Sequence, residues 1–188
     1  DPDQSDGPQK ACDAGLKVIS RNEGALNGVT TATSLLEDDE RFNAGTGSNI
    51  RLDGTTIQMD ASCMSSTGEF AAIAAVERVK NPINVARCLL GTPHNLLVGE
   101  GATEFARQHG LEDYDPTTST ALSRYKEVKK IADQVGDWSL SDLKNVWNYT
   151  KPARTFYGGD PVGSVAWDGM HFASALSSGG TAIVLRGR

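Results

Sequence analysis

The 188 residues carry 24 acidic and 18 basic side chains, a formal net charge of −6, which argues against a nucleic-acid partner because phosphate backbones are bound by clustered lysine and arginine. The length predicts one domain, the 38% hydrophobic fraction is typical of a folded globular chain, and no apolar run reaches the ~20 residues of a membrane span. Cys12, Cys63 and Cys88 form no CxxC pair, so we expect free thiols, no zinc site and a reducing, cytoplasmic setting.

The chain opens with two predicted helices. Apolar residues fall at helical spacing over residues 9–20 and again from about residue 28. The acidic run Glu37–Glu40 should end the second helix, because negative charge is unfavourable at a helix C-terminus. A loop through Ser48 follows. Two alternating runs split by Asp-Gly then predict a β-hairpin over residues 49–60.

Short elements are predicted for the middle of the chain. Residues 70–79 are typical of a buried strand or a helix, and Pro82 fits the first turn of a further helix. Leu96–Val98 predicts a short buried strand. A helix should start at Gly99 and end with Gly110 as its C-terminal cap.

The pattern weakens after residue 111. Residues 123–135 predict a charged surface helix. Over about residues 137–160 we expect a long mobile connector, and connectors of this length inside a domain usually have a function. Two strands follow, over 162–168 and 171–176, joined by a tight turn. The glycine-rich loop over 43–48 lacks the Gly-Lys-Ser/Thr ending of a phosphate loop, and the three histidines have no metal-ligand spacing, so the residues alone stop at a mixed helix and strand domain.

Several motifs extend this interpretation. They are Phe42-Asn43-Ala44-Gly45-Thr46-Gly47-Ser48, Met59-Asp60-Ala61-Ser62-Cys63-Met64, Val162-Gly163-Ser164-Val165-Ala166 and Ser178-Gly179-Gly180. In these the chain resembles the plant-type asparaginase/isoaspartyl aminopeptidase family of N-terminal-nucleophile hydrolases, a group that includes taspases and glycosylasparaginase. The resemblance covers residues 9–188 except for the connector.

The resemblance implies an α+β fold, a four-layer αββα sandwich. Residues 1–160 would correspond to the α-subunit-like region and residues 161–188 to the first strands of the β-subunit-like region. The family's first strand and its region after residue 188 have no counterpart, so we expect the sequence to be part of a longer protein.

The resemblance also implies the site residues. In the family the precursor cleaves itself before a threonine, whose hydroxyl and freed amine then act as nucleophile and base. Here the cleavage site would be Asp160-Pro161, and Pro161 stands at the nucleophile position without a hydroxyl. Ser178 matches a second hydroxyl residue, and Arg188 the arginine that binds the substrate α-carboxylate, with Arg186 as a solvated neighbour. Asn43 matches an asparagine near the active centre, and a structural role in a turn is the equal alternative. We therefore expect an uncleaved, inactive chain.

No organic cofactor is implied, but the segment 36–46 resembles the family's sodium loop. The ligands would be main-chain carbonyl oxygens, which suit a hard monovalent cation. They belong to Leu36, Glu37, Asp39, Phe42, Ala44 and Thr46. The alternative interpretation is a solvated acidic loop.

The function that this resemblance predicts is an amidohydrolase acting on L-asparagine and β-aspartyl dipeptides, as a homodimer of αβ units. A taspase-like threonine endopeptidase, suggested by residues 175–180, and a non-catalytic homologue that binds a partner are the alternatives. Three explanations of Pro161 stay open: a deliberate substitution that traps the precursor, a natural non-catalytic homologue, or a shifted alignment.

Overall fold

The fold was analysed in a computed structural model, which describes residues 4–133 and 161–187. Five helices and five strands lie in these ranges. The helices are α1 Asp6–Ser20, α2 Ala25–Glu37, α3 Pro82–Leu89, α4 Glu100–Gln108 and α5 Ser119–Asp133. The strands are β1 Met59–Ser65, β2 Phe70–Val76, β3 Leu96–Val98, β4 Val162–Trp167 and β5 Phe172–Ser178.

The strands form one sheet in the order β3-β2-β1-β5-β4. Strands β4 and β5 make an antiparallel hairpin, and β5 pairs with β1, so the last part of the described chain is inserted beside its first strand. The β2–β3 pair is parallel, because helix α3 carries the chain back across the sheet between them. The hairpin β4–β5 therefore lies at one end of the sheet, with β4 as the edge strand.

Helices cover one face of this sheet. Helix α2 packs on β4 and β5, α3 packs on β1 and β2, α4 packs on β2 and β3, and α1 packs on α2. The alternating small side chains of β1, β2 and β5 point into this interface. Ala71, Ala175 and Met59 have no exposed surface, and Ile83 and Leu89 of α3 are equally buried against them. Small residues on the sheet let the helices approach closely, which explains why these strands are rich in alanine and serine.

The opposite face of the sheet carries exposed apolar side chains. Trp167 and Phe172, opposite each other on the hairpin, stack with ring centroids 6.0 Å apart, and both are 59% exposed. Other exposed side chains on the strands are those of Met64, Phe70, Val165 and Leu176. The described ranges thus form one helix layer and one sheet layer, and the predicted mixed α+β fold is confirmed.

Most elements lie where the sequence predicts them, with two corrections. The hairpin predicted over residues 49–60 is reduced to a single bridge between Ile50 and Ile57, after which β1 continues to Ser65. Strand β3 was predicted to be buried. It is instead the other edge strand, with Leu96 and Val98 more than half exposed, because only β2 pairs with it among the described residues.

Within the described residues, no helix is both long and apolar enough to cross a bilayer. The three cysteines are free thiols.

Candidate active site

The site is organised by the register of the β4–β5 hairpin. Val162 pairs with Ser177, so the register extended by one residue sets Pro161 opposite Ser178. Residues opposite each other on antiparallel strands have Cα atoms about 4.5–5.5 Å apart. Pro161 is exposed, while Ser178 is half-buried. The two sequence-predicted positions are therefore neighbours at the end of the sheet.

Asn43 reaches the turn that follows Ser178. Its Nδ2 donates to the Gly180 carbonyl at 2.8 Å, and its own main-chain carbonyl accepts from the Gly179 N–H at 2.7 Å. The Ser178 hydroxyl accepts from the Gly180 N–H at 3.0 Å. Asn43 and Ser178 thus hold the same two glycines from opposite sides, and Asn43 is only 4% exposed. The structure brings three of the predicted site residues to one place.

Glycines are needed for the loop that delivers Asn43. Gly45 and Gly47 both have positive φ, +55° and +88°, which is the left-handed region that glycine enters without strain. A Cβ on Gly45 would lie 2.5 Å from the Glu37 carbonyl oxygen, and one on Gly47 would lie 2.7 Å from that of Glu40. The glycine-rich motif therefore serves a close packing of the loop on the end of α2, and does not form a phosphate cradle.

Glu37 lies beneath this loop and is fully buried. Its Oε1 accepts from the Ile83 N–H at 2.9 Å, at the start of α3. Burial raises the pKa of Glu37 to about 8, because desolvation disfavours the carboxylate more than the hydrogen bond from the Ile83 N–H favours it. The alternative of a solvated acidic loop is therefore wrong for Glu37. Asp39 does face solvent in part, and its ion pair with Arg41 holds the pKa of Asp39 below its usual value.

The six carbonyls predicted to bind sodium lie at the end of α2 and in the loop after it. Three of them already accept a backbone N–H: Leu36 from Asp39, Glu37 from Thr46, and Asp39 from Phe42. A carbonyl oxygen has a second lone pair, so these hydrogen bonds leave each of the three able to coordinate a cation. The donor chemistry therefore fits a hard monovalent ion. In the described ranges, no group of three or more His, Cys, Asp or Glu side chains could hold a metal.

A groove of about 530 Å³ runs between α1 and strand β4, and Pro161 is part of its lining. The wall contains no charged side chain among the described residues, so it offers no ion-pair partner for the charged groups of an amino-acid substrate. Within the sheet interface, the Ser164 hydroxyl donates to the Val29 carbonyl at 2.9 Å and accepts from Thr33 at 2.8 Å. These two bonds fix β4 against α2 three residues from Pro161.

Two predicted site residues, Asp160 and Arg188, lie outside the described residues, as does the predicted connector over 137–160. Sequence reasoning missed two others. Arg51 and Asn49 both donate to carbonyls of the Gly179–Thr181 segment. The one available signal was an arginine between the apolar residues Ile50 and Leu52, in a run where a hairpin strand was expected.

Comparisons with known proteins agree with the motifs. A family model described as asparaginase matches residues 2–188. The plant-type L-asparaginase of Thermococcus kodakarensis is 39% identical over all of this chain and 60% of its own length. The isoaspartyl peptidase of Salmonella typhimurium is 35% identical, over 94% of this chain and 55% of its own length. The N(4)-(beta-N-acetylglucosaminyl)-L-asparaginase of Elizabethkingia miricola is 31% identical, over 92% of this chain and 46% of its own length.

The chain therefore spans 60% of the length of the Thermococcus kodakarensis protein and 55% of the length of the Salmonella typhimurium protein.

Proposed function

We propose a function from one premise: this chain belongs to the asparaginase family. The proposal is that it represents an amidohydrolase of the asparaginase and isoaspartyl peptidase type, whose precursor is cleaved between Asp160 and Pro161, and that Pro161 keeps this chain uncleaved and inactive. The observation that supports it best is the hairpin register, in which Pro161 stands opposite Ser178 while Asn43 holds the turn after Ser178.

The cleavage chemistry explains why proline would block it. A hydroxyl at residue 161 adds to the carbonyl carbon of residue 160, and the peptide nitrogen leaves, which converts the amide into an ester. Water then hydrolyses the ester, releasing the carboxylate of residue 160 and the free amine of residue 161. Proline has no hydroxyl to form the new bond, and its ring fixes φ near about −65°. Neither step can begin at Pro161.

With a threonine at 161, the freed residue would carry out the second reaction. Its amine accepts the proton of its own hydroxyl, whose oxygen attacks the side-chain amide of asparagine or the β-linkage of an isoaspartyl peptide. Ammonia or the amine product leaves with a proton, and water then hydrolyses the aspartyl ester, which releases aspartate and restores the hydroxyl. Ser178 would hydrogen-bond the attacking oxygen, since a hydroxyl both donates and accepts. Arg188 would pair with the substrate α-carboxylate, a bidentate task that suits a guanidinium.

The test of this proposal is Pro161→Thr, with Pro161→Val as the matched control. Valine has the shape of threonine but no hydroxyl, so it separates the nucleophile from the release of proline's backbone constraint. We expect the threonine chain to give two fragments at neutral pH, one ending at Asp160, and the valine chain to stay intact. Gel electrophoresis and intact-mass measurement record this. A folded threonine chain that stays intact would refute the proposed register.

Substrate choice is tested separately. The assay uses the cleaved product of the Pro161→Thr chain, and any longer natural form of the protein that carries the same substitution. Release of ammonia from L-asparagine and of free amino acid from β-aspartyl dipeptides would support the proposal. Cleavage of a folded protein substrate, with neither small amide turned over, would favour the taspase-like endopeptidase.

Pro161 itself favours the second candidate, a non-catalytic homologue that binds a partner. In that case proline would be the natural residue, and Pro161→Thr would neither cleave nor hydrolyse small amides. Sequencing the gene from independent isolates distinguishes a natural proline from a deliberate substitution.

Two further features belong to the proposal. We propose a homodimer of αβ units, tested by sedimentation of the uncleaved chain, and a structural sodium ion bound by the carbonyls of segment 36–46. The free thiols of Cys12, Cys63 and Cys88 support a reducing, cytoplasmic setting, because disulfides dominate in oxidising compartments.

A further inference from the structure

Arg51 precedes β1 in the chain and has no exposed surface. A guanidinium stays charged in proteins and carries five N–H donors in a rigid plane, so burial requires oxygen acceptors arranged around it. Arg51 Nη1 donates to the Gly179 carbonyl at 2.8 Å and to the Thr181 carbonyl at 3.3 Å. Its Nη2 donates to the Gln58 carbonyl at 2.5 Å.

The acceptors belong to the turn that follows Ser178. The carbonyl between the two that Arg51 holds is that of Gly180, which accepts from Asn43 and Asn49 at 2.8 Å each. Three consecutive main-chain carbonyls are therefore bound by side chains of the 43–51 segment. Gly180 has φ +69°, and a Cβ there would lie 2.8 Å from Arg51 Nη2. Glycine is thus needed for the guanidinium to reach the backbone.

The turn over Gly179–Thr181 also sets the position of the Ser178 hydroxyl. Ser178 accepts from the Gly180 N–H, so a rotation of the Gly179–Gly180 peptides moves the hydrogen bond that orients Ser178. The Gly179 N–H donates to the Asn43 carbonyl, so the same rotation moves Asn43. A displacement of about 1 Å at a reacting centre can lower a rate about 100-fold.

We propose that Arg51 is a positioning residue of the site: its buried guanidinium fixes the Gly179–Thr181 carbonyls and thereby holds in place the Ser178 hydroxyl, on the residue opposite position 161, and the Asn43 amide that bonds the same turn. Arg51 does not touch the reacting atoms. Its effect on rate rests on the proposed function, whereas its effect on the turn does not.

The first experiment measures the stability of the Gly179–Thr181 turn itself and does not require an active enzyme. Arg51→Lys and Arg51→Met are compared with the parent by hydrogen exchange of backbone amides. Lysine keeps the positive charge but lacks the planar set of N–H donors, and methionine lacks both. The exchange protection of the Gly179 and Gly180 amides should therefore fall at least about tenfold in both variants, while the amides of α3 and β2 keep their protection. The matched control is Arg107→Met. Arg107 also donates to main-chain carbonyls, those of Arg78, Leu111 and Glu112, and pairs with Asp113, and none of these residues belongs to the turn after Ser178.

The second experiment places the same substitutions in the Pro161→Thr chain and measures the cleavage rate. We expect Arg51→Lys and Arg51→Met to slow cleavage about 10- to 100-fold and Arg107→Met to leave it unchanged. Ethylguanidinium, but not ethylammonium, should restore part of the rate in an Arg51→Ala chain.

Each outcome decides a different point. If Pro161→Thr alone does not cleave, the proposed function fails, and the exchange experiment still decides the role of Arg51. Folded Arg51 variants with parental protection at Gly179 and Gly180, or with a parental cleavage rate, would overturn the proposal. Uniform loss of protection across the whole sheet in both variants would overturn it as well, because it would assign Arg51 to general stability.

Discussion

A single added methyl group tests how closely the site is packed. Gly179 is buried between Asn43 and Ser48, and its φ is not in the left-handed region, so Gly179→Ala introduces a steric clash without backbone strain. The new Cβ would lie 2.3 Å from Asn43 Oδ1 and 2.5 Å from Ser48 Cβ. Both neighbours are buried, so neither can move into solvent.

The cost follows from two contributions. Overpacking of a tightly packed site costs about 1–3 kcal/mol. Displacing Asn43 also breaks its bonds to the Gly180 carbonyl and the Asn49 N–H, and a buried group left without a partner costs about 1–3 kcal/mol. We therefore expect Gly179→Ala to lower the free energy of unfolding by about 2–6 kcal/mol, the sum of these two ranges.

Urea denaturation followed by circular dichroism measures this loss. Gly101→Ala is the matched control, because Gly101 lies in α4 with no atom within 4 Å of its Cβ position. Alanine there should raise stability by up to about 1 kcal/mol through helix propensity. Our account of the packing would be wrong if Gly179→Ala lay within about 1 kcal/mol of the parent, the range of an average surface or tolerated substitution.

Three further predictions concern the elements around the site. Ser164→Ala should cost about 1–2 kcal/mol of unfolding free energy, because it removes the bonds to Val29 and Thr33, whereas Ser174→Ala on the open face should change it by less than about 0.5 kcal/mol. The N–H groups of His171, Met170 and Ala25 lower the pKa of Asp168 to about 2. The stability that this carboxylate contributes is therefore complete above pH 4 and lost as the pH falls through 2, so Asp168→Asn should flatten that part of the urea-midpoint curve. Raising sodium at constant ionic strength should raise the thermal midpoint more than the same exchange with tetramethylammonium, and equal responses would count against the sodium site.

The local elements could be predicted because their signals are local. Pro82 marks the start of α3, Gly110 with φ +78° follows the end of α4, and the alternation on either side of residue 169 predicts the β4–β5 hairpin. The hairpin register that the structure gives makes Pro161 and Ser178 neighbours, whereas the sequence indicated the two positions only through the family resemblance.

The remaining features depend on contacts between distant residues. The sequence does not predict that Glu37 is fully buried, and for Arg51 its only indication is the flanking pair of apolar residues, Ile50 and Leu52. Charged residues are almost always exposed unless paired or hydrogen-bonded. Two acceptors of Arg51, the carbonyls of Gly179 and Thr181, lie more than 120 residues away in the turn after Ser178. Strand β3 was misjudged for the same reason: its residues are apolar, but whether a neighbour covers them is decided by the order of strands in the sheet.

Helix α2 and the β4–β5 hairpin are joined at three levels. Asp168 at the hairpin tip accepts from the Ala25 N–H at the start of α2, Ser164 bonds Val29 midway, and Asn43 beyond the helix holds the residues after Ser178. A helix and a hairpin tied in this way should open as one cooperative unit. The two halves of the site, separated by more than a hundred residues of chain, would then share a single opening free energy, and neither could fluctuate alone.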